Sequence, residues 1–352
     1  MPTEPIAPAA ALPAGYTARP AELSDAPAAV AAINASMQAL LGLNVTTPEE
    51  LEKEWQAPTV NLATDSCLIL APDGTVAAYN SMWDTAPHVT PEQWGRVHPA
   101  HTGRGLGTYL MAWAAARAQQ AIAQAPAATR VVLTSWINAH DTATQALLTD
   151  WGYAHVRSAY RMVIDLRDDA PPPAPVWPEG FSVRTFVLGQ DDEELVRTVR
   201  ASFADHWGYV EHPFEEELEN WRHNWATNAS FDPSLWSLVV THTADGEQIV
   251  GTSFARLSLP EDPAMGWIFS LGVRREWRRR GLAHALLLDS FNRLYARGRR
   301  RVGLGVDAGS LTGATRLYEK AGMQADPKHT HQVWEKELRP GADLATTALD
   351  SH

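Results

Sequence analysis

The sequence has one cysteine, Cys67, in 352 residues. With no partner for an internal disulfide, the chain is expected in a reducing, cytoplasmic setting. Cys67 sits in the apolar run SCLIL, with no neighbour to activate a thiolate, and reads as a core residue. Cations are in deficit: 29 Lys and Arg stand against 41 Asp and Glu, a formal net charge of −12. Such a surface repels nucleic acid and anionic membranes and suits a cationic substrate such as an amine. No stretch approaches the roughly 18 consecutive apolar residues of a membrane span. The opening MPTEPIAPAAALPAG lacks a basic segment followed by an apolar block, so residues 1–14 read as a disordered tail rather than a signal peptide. GxxxxGK followed by Ser or Thr is absent, Gly103 to Gly107 do not spell GxGxxG, and HExxH is missing. His329 and His331 lack a third ligand at metal spacing and read as strand-face histidines, so no metal is expected.

What is present is a duplication. The run from Asp168 to Gly180, DDAPPPAPVWPEG, holds five prolines and reads as a semi-rigid linker. It divides the chain into an N-terminal domain, 15–167, and a C-terminal domain, 181–340, with a tail at 341–352. Arg19 answers to Arg184, Asp73–Gly74 to Asp245–Gly246, Gly105 to Gly281 and Gly152 to Gly322. A repeat this long means two copies of one domain, not a solenoid. Each half predicts a short strand, one or two helices, a hairpin at the Asp-Gly turn and a strand ending at Val97 or Val273. A glycine turn then opens a long helix with apolar residues at helical spacing: Leu106, Leu110 and Trp113, or Leu287, Phe291 and Leu294. A further strand, a helix and a strand pair follow. The fold class is α+β, two consecutive domains, each a mixed, mainly antiparallel sheet flanked by helices.

In the second half, VRREWRRRGLAHALL places Arg274, Arg275, Arg278, Arg279 and Arg280 at or before a helix start. Cations there oppose the helix dipole, at about 0.3–1 kcal/mol each. An anion reverses the balance, because free amides, the dipole and arginine forks all favour a phosphate. A solvated patch is the competing reading. A second basic run, Arg297 to Arg301, lies at the other end of the helix, where the dipole favours cations and no ligand is needed.

These segments resemble the GNAT superfamily of N-acetyltransferases, whose pyrophosphate signature is R/Q-x-x-G-x-G/A. Arg278, Arg279, Arg280, Gly281, Leu282 and Ala283 match it throughout. The preceding Ser270 to Val273 resembles the family's fourth strand, which implies pantetheine contacts at Leu271 and Val273. Tyr318, in VDAGSLTGATRLYEKAGM, stands where the family has its tyrosine general acid. The first half resembles the family with departures. Thr102 replaces the leading arginine of the signature, and Leu148 stands in the place of Tyr318. Val97, Gly103, Arg104, Gly105, Leu106, Gly107 and Asn138 still match cofactor positions. In architecture the chain resembles tandem members such as the mycothiol synthase-like proteins, although no residue commits it to that acceptor.

The resemblance implies acetyl-CoA as co-substrate, a small amine as acceptor and chemistry mainly in the C-terminal domain. An amine must lose a proton to attack a thioester, and the departing thiolate must gain one. Tyr318 is the expected acid. The candidates for the base are Asp205, His206, Glu211, His212 and Glu216 in FADHWGYVEHPFEEE, with His206 favoured by its ordinary pKa and a substrate-lining or capping role as the competing reading. Trp207, Trp221 and Trp225 read as core before they read as pocket. No nucleic-acid or membrane partner is expected. The duplication suits a monomer with an internal pseudo-dimer or a homodimer. The alternative function is an acyl-CoA-binding regulatory protein with little catalysis.

Overall fold

A computed structural model describes residues 8–228, 230–244, 246–309 and 313–346. Residues 1–7 and 347–352 of the two expected tails, Asp245 of the second hairpin turn and residues 310–312 before Tyr318 lie outside the described residues. The first half contains β1 (Thr17–Arg19), α1 (Ala26–Leu41), α2 (Pro48–Trp55), α3 (Leu62–Asp65), β2 (Ser66–Leu70), β3 (Val76–Trp83), β4 (Glu92–Val97), α4 (Leu106–Gln124), β5 (Val131–Asn138), α5 (Thr142–Asp150) and β6 (Ala154–Asp165). The second contains β7 (Phe181–Thr185), α6 (Asp192–Phe203), α7 (Phe214–Thr227), β8 (Trp236–Thr243), β9 (Gly246–Arg256), β10 (Met265–Val273), α8 (Leu282–Ala296), β11 (Arg301–Asp307), α9 (Ala314–Lys320) and β12 (Gln324–Arg339). The α+β class follows the sequence expectation, and so does the repeated order, except that α3 is an extra helix in the first half and each half closes on one strand, β6 or β12, where a pair was expected.

The compact units do not coincide with the sequence halves. One unit comprises residues 1–157 with 331–344, and the other 158–330 with 345–352. In the first, β12 runs antiparallel to β5, from His331 opposite Asn138 to Arg339 opposite Val131. In the second, β6 runs antiparallel to β11, from Ala159 opposite Asp307 to Asp165 opposite Arg301. Each unit therefore takes a strand from the other half of the sequence. The boundary drawn through the proline-rich run, with domains at 15–167 and 181–340, misses this exchange. Prolines mark where the backbone is extended, not which sheet satisfies a strand's hydrogen bonds.

Within each unit the parallel pair is flanked by antiparallel strands. In the second unit β10 is parallel to β11 and antiparallel to β9, which continues through β8 to β7. Helix α6 packs on β9 and β10, as does α8. They take opposite faces. Ser253 Oγ meets Ser290 Oγ of α8 at 2.8 Å, whereas a Cβ on Gly272 would lie 2.8 Å from Ser202 Cβ of α6. Gly272 is thus required by the close approach of α6 to the strand. The predicted register of α8 holds: Leu287, Phe291 and Leu294 are all buried, each contributing about 1.5–3 kcal/mol. In the first unit Leu106, Leu110 and Trp113 of α4 are buried likewise, and α1 packs against β3 and β4. Cys67 is buried, and burial pushes its thiol up to about 12, which removes the thiolate at neutral pH. No described helix is long and apolar enough to cross a membrane.

Candidate active site

The second unit opens between β10 and β11. Their parallel pairing runs from Met265 opposite Arg301 to Ile268 opposite Leu304 and then stops. Both strands continue, to Val273 and Asp307. The β10 register against β9 also shifts between Ile268 and Ser270, a bulge that falls at the point of divergence. A bulge leaves a residue outside the ladder and re-aims its backbone groups. The amides and carbonyls of β10 from Phe269 to Val273 on the β11 side thus have no strand to pair with. Such an edge suits an extended ligand carrying amide groups, the chemistry expected at Leu271 and Val273.

At the mouth of this opening the chain makes a tight turn into α8. Arg279 has φ 62° and Gly281 φ 86°, both left-handed. The first helical hydrogen bond across this turn is Ala285 N–H to Gly281 O, at 3.1 Å, and no side chain caps the helix. The amides of Leu282, Ala283 and His284 therefore face outward as helix-start donors. The Leu282 side chain is buried, so Leu282 offers a ligand only its amide. His284 Nδ1 at the same helix start is buried without a partner among the described residues. Left-handed residues set among outward amides form a concavity for an anion.

The arginines divide between two tasks. Arg279 and Arg280 are exposed, and Arg280 lies over the Trp277 ring at 5.0 Å. Arg278 does not face a ligand. Its guanidinium donates to Asp205 at 2.5 and 2.9 Å, to Ser202 O at 2.8 Å and to Val273 O at 3.0 Å. The side chain ties the strand end to the end of α6. Arg278 holds the Asp205 carboxyl below the usual carboxylate range. Arg274 likewise turns inward, to Glu194 and to Thr198 Oγ1.

Tyr318 lies on α9, 6% exposed, in the core shared with Leu304, Val306 and Met323. Burial pushes its phenol up to about 12, so it stays protonated at neutral pH. Its backbone carbonyl accepts from Met323 N–H at 3.0 Å, and Leu148 O accepts from Tyr153 N–H at 2.9 Å. The two residues therefore occupy the same place in the two units, as the sequence alignment requires. His206 is not at the root of the opening. It follows Asp205, its ring meets Phe203 edge-on at 4.8 Å, and Arg278 and Asp307 act on its charge, which puts it at the mouth. Burial lowers its pKa. Among the other acceptor-side residues, Glu211 pairs with Arg200 at 2.7 Å, while Trp221 and Trp225 join the aromatic core around Trp236 and Phe254.

The first unit repeats the opening with less in it. β4 and β5 pair only at Glu92 opposite Thr134 and Gln93 opposite Ser135, then part. The β3–β4 register is continuous, with no bulge. Gly103 (φ 71°) and Gly105 (φ 85°) keep the turn, and Arg104 is exposed beside them. Asn138 is 2% exposed and its Oδ1 accepts from His140 N–H at 2.9 Å, so part of its amide is spent on its own turn. Leu148 is fully buried. The bulge on β10, the inward Arg278 and the role of Asp205 were missed by sequence reasoning; only the spacing of Asp205 after α6 offered a signal.

The family model described as the acetyltransferase (GNAT) family matches residues 36–153 and again 210–323. The mycothiol acetyltransferase of Streptomyces griseus is 30% identical over 272 residues, covering 75% of this chain and 77% of its own length. That of Thermobispora bispora is 30% identical over 230 residues, covering 64% and 70%. A solved GCN5-related N-acetyltransferase from Sphaerobacter thermophilus is 39% identical, with a TM-score of 0.75 over 96% of this chain and 100% of that one. A tandem GNAT protein of the clavulanic acid pathway shares the fold at 16% identity and a TM-score of 0.64, covering 93% and 99%.

Proposed function

Because the chain belongs to the acetyltransferase (GNAT) family and is an acyl-CoA-dependent N-acetyltransferase, we propose that it acetylates a small amine at the opening between β10 and β11 of its second unit. The observation that carries this reading is the coincidence there of the split parallel pair, the bulge and a buried, protonated tyrosine.

Acetyl-CoA supplies an activated thioester. The residues present fit it: the amides of Leu282, Ala283 and His284 with Arg279 and Arg280 hold the pyrophosphate, and the free edge of β10 holds the pantetheine at Leu271 and Val273. Backbone donors at the bulge stabilise the negative charge that develops on the carbonyl oxygen, a role worth about 2.7–4 kcal/mol per donor in comparable sites. Tyr318 gives its proton to the departing sulfur. A phenol near 12 holds its proton until a stronger base forms beside it, and the buried setting raises the basicity of a thiolate as well. The names of the relatives support a small-molecule acceptor over a protein.

The first unit supports a second reading, limited to itself. It keeps the turn and the split strands but lacks both the bulge and the phenol. It is proposed to bind acyl-CoA without turnover. Thiol release by the Tyr318→Phe variant tests the assignment: loss of kcat with acetyl-CoA binding intact supports it, and full turnover removes it.

A further inference from the structure

At the root of the opening, on the α6 side of the sheet, lies a polar group of residues that the mechanism above does not use. Trp267 of β10 stands opposite Gly303, and Arg161 of β6 opposite Gly305. A Cβ on Gly303 would strike the Trp267 ring at 2.9 Å, and one on Gly305 would meet nothing within 4 Å. Gly303 is thus covered by Trp267 and by Met265, whose Sδ would lie 2.8 Å from that Cβ, and the open space on this face lies above Gly305. The Arg161 guanidinium lies over the Trp267 ring at 5.1 Å and pairs with Glu261 at 2.5 Å.

Beside it, Asp326 Oδ2 meets His329 Nδ1 at 2.8 Å, while Lys328 N–H donates to Asp326 Oδ1 at 3.2 Å and fixes the carboxylate. His329 Nε2 is buried and has no hydrogen-bond partner among the described residues. Leaving such an atom unsatisfied costs about 1–3 kcal/mol. Burial and the Arg161 charge lower the His329 pKa, against Asp326 and Glu261, which raise it. The ring is therefore neutral at pH 7, with Nδ1–H given to Asp326 and the Nε2 lone pair open.

We propose that His329 Nε2, oriented by Asp326, takes the proton of the acceptor amine, whose body lies in the open space over Gly305 beside the Arg161–Glu261 pair. The inference rests on the acetyl-transfer reading. The C–N bond forms as the C–S bond breaks; the amine proton passes to Nε2 and the thiolate takes the Tyr318 proton. Exchange with solvent then restores both side chains. Base and acid approach from opposite faces of the sheet, since the Tyr318 core includes Leu304 and Leu287 on the α8 side. His206 is poorly placed for this task. At about 3.3 Å per residue, the end of β10 near His206 lies roughly 15–20 Å beyond Trp267.

The test uses the full chain, acetyl-CoA and a panel of primary amines (glucosamine, tyramine, spermidine), with thiol release as readout. His329→Gln should lower kcat about 10²–10⁴-fold, leave acetyl-CoA binding by calorimetry unchanged and abolish the acid limb of the kcat/KM profile. Imidazole should restore part of the turnover of His329→Ala, which a structural role would not allow. Nitrogen-15 NMR should find Nδ1 protonated and Nε2 bare at pH 7. A His329→Gln variant with wild-type kcat and an unchanged acid limb overturns the proposal alone. A wild-type protein that binds acetyl-CoA but acetylates no amine overturns the acetyl-transfer reading, and this role with it.

Discussion

Arg278 clasps Asp205 through two hydrogen bonds, at 2.5 and 2.9 Å, from the first position of the pyrophosphate signature. The clasp braces the turn from beneath while Arg279 and Arg280 face outward. Arg278→Gln should therefore destabilise the fold by about 1.5–3 kcal/mol at pH 7, with a smaller effect on acetyl-CoA affinity than Arg280→Glu. The pH dependence has a definite sign. Asp205 is held below the usual carboxylate range, so its stabilisation is present above that range and lost as pH falls through the folded value. Urea unfolding of the two proteins should show a full gap near neutrality that closes in acid.

Arg279 adopts φ 62°, where the first unit has Gly103 at φ 71°. A left-handed non-glycine residue costs about 1–2 kcal/mol. Arg279→Gly should raise the melting temperature while weakening acetyl-CoA binding, because strain and one cation leave together. A variant that is both less stable and equally tight would contradict the account of this turn.

Tyr318→Phe should lower kcat about 10²–10⁴-fold with little change in the KM for acetyl-CoA. The ring stays in the core that holds Met323 and Leu304, so stability should change little. The assay should also show no loss of the acid function up to pH 9, since the phenol is pushed up to about 12.

In the first unit, Arg117 is 5% exposed between two carboxylates, Asp65 at 2.9 Å and Asp84 at 3.1 Å. Arg117→Met would leave Asp65 without its cation and Asp84 with His88 Nδ1 alone, at 3.0 Å. The expected cost is about 3–5 kcal/mol, read by chemical denaturation, because a buried charge stripped of its partner is poorly solvated.

Much of this was legible in the sequence because it is local. The glycine turns, the strand ends at Val97 and Val273, the α8 register and the match of Leu148 to Tyr318 each depend on residues a few positions apart. The missing parts are long-range. Nothing in β6 or β12 says which sheet will accept each strand, and the proline-rich run draws the boundary to itself. Arg278 reads as a phosphate ligand until Asp205 is brought beneath it. His329 reads as a strand-face histidine until Asp326 fixes one nitrogen and burial isolates the other.

The central claim is that acetyl transfer belongs to the second unit. Gly281→Val and Gly105→Val test it as a pair, because each places a β-branched residue at a left-handed helix start, φ 86° and φ 85°. Measured as kcat/KM for acetyl-CoA with the best amine of the panel, Gly281→Val should abolish transfer and Gly105→Val should leave it within about threefold of wild type, well under the tenfold that 1.4 kcal/mol represents. Loss of transfer in Gly105→Val with retention in Gly281→Val would contradict the account.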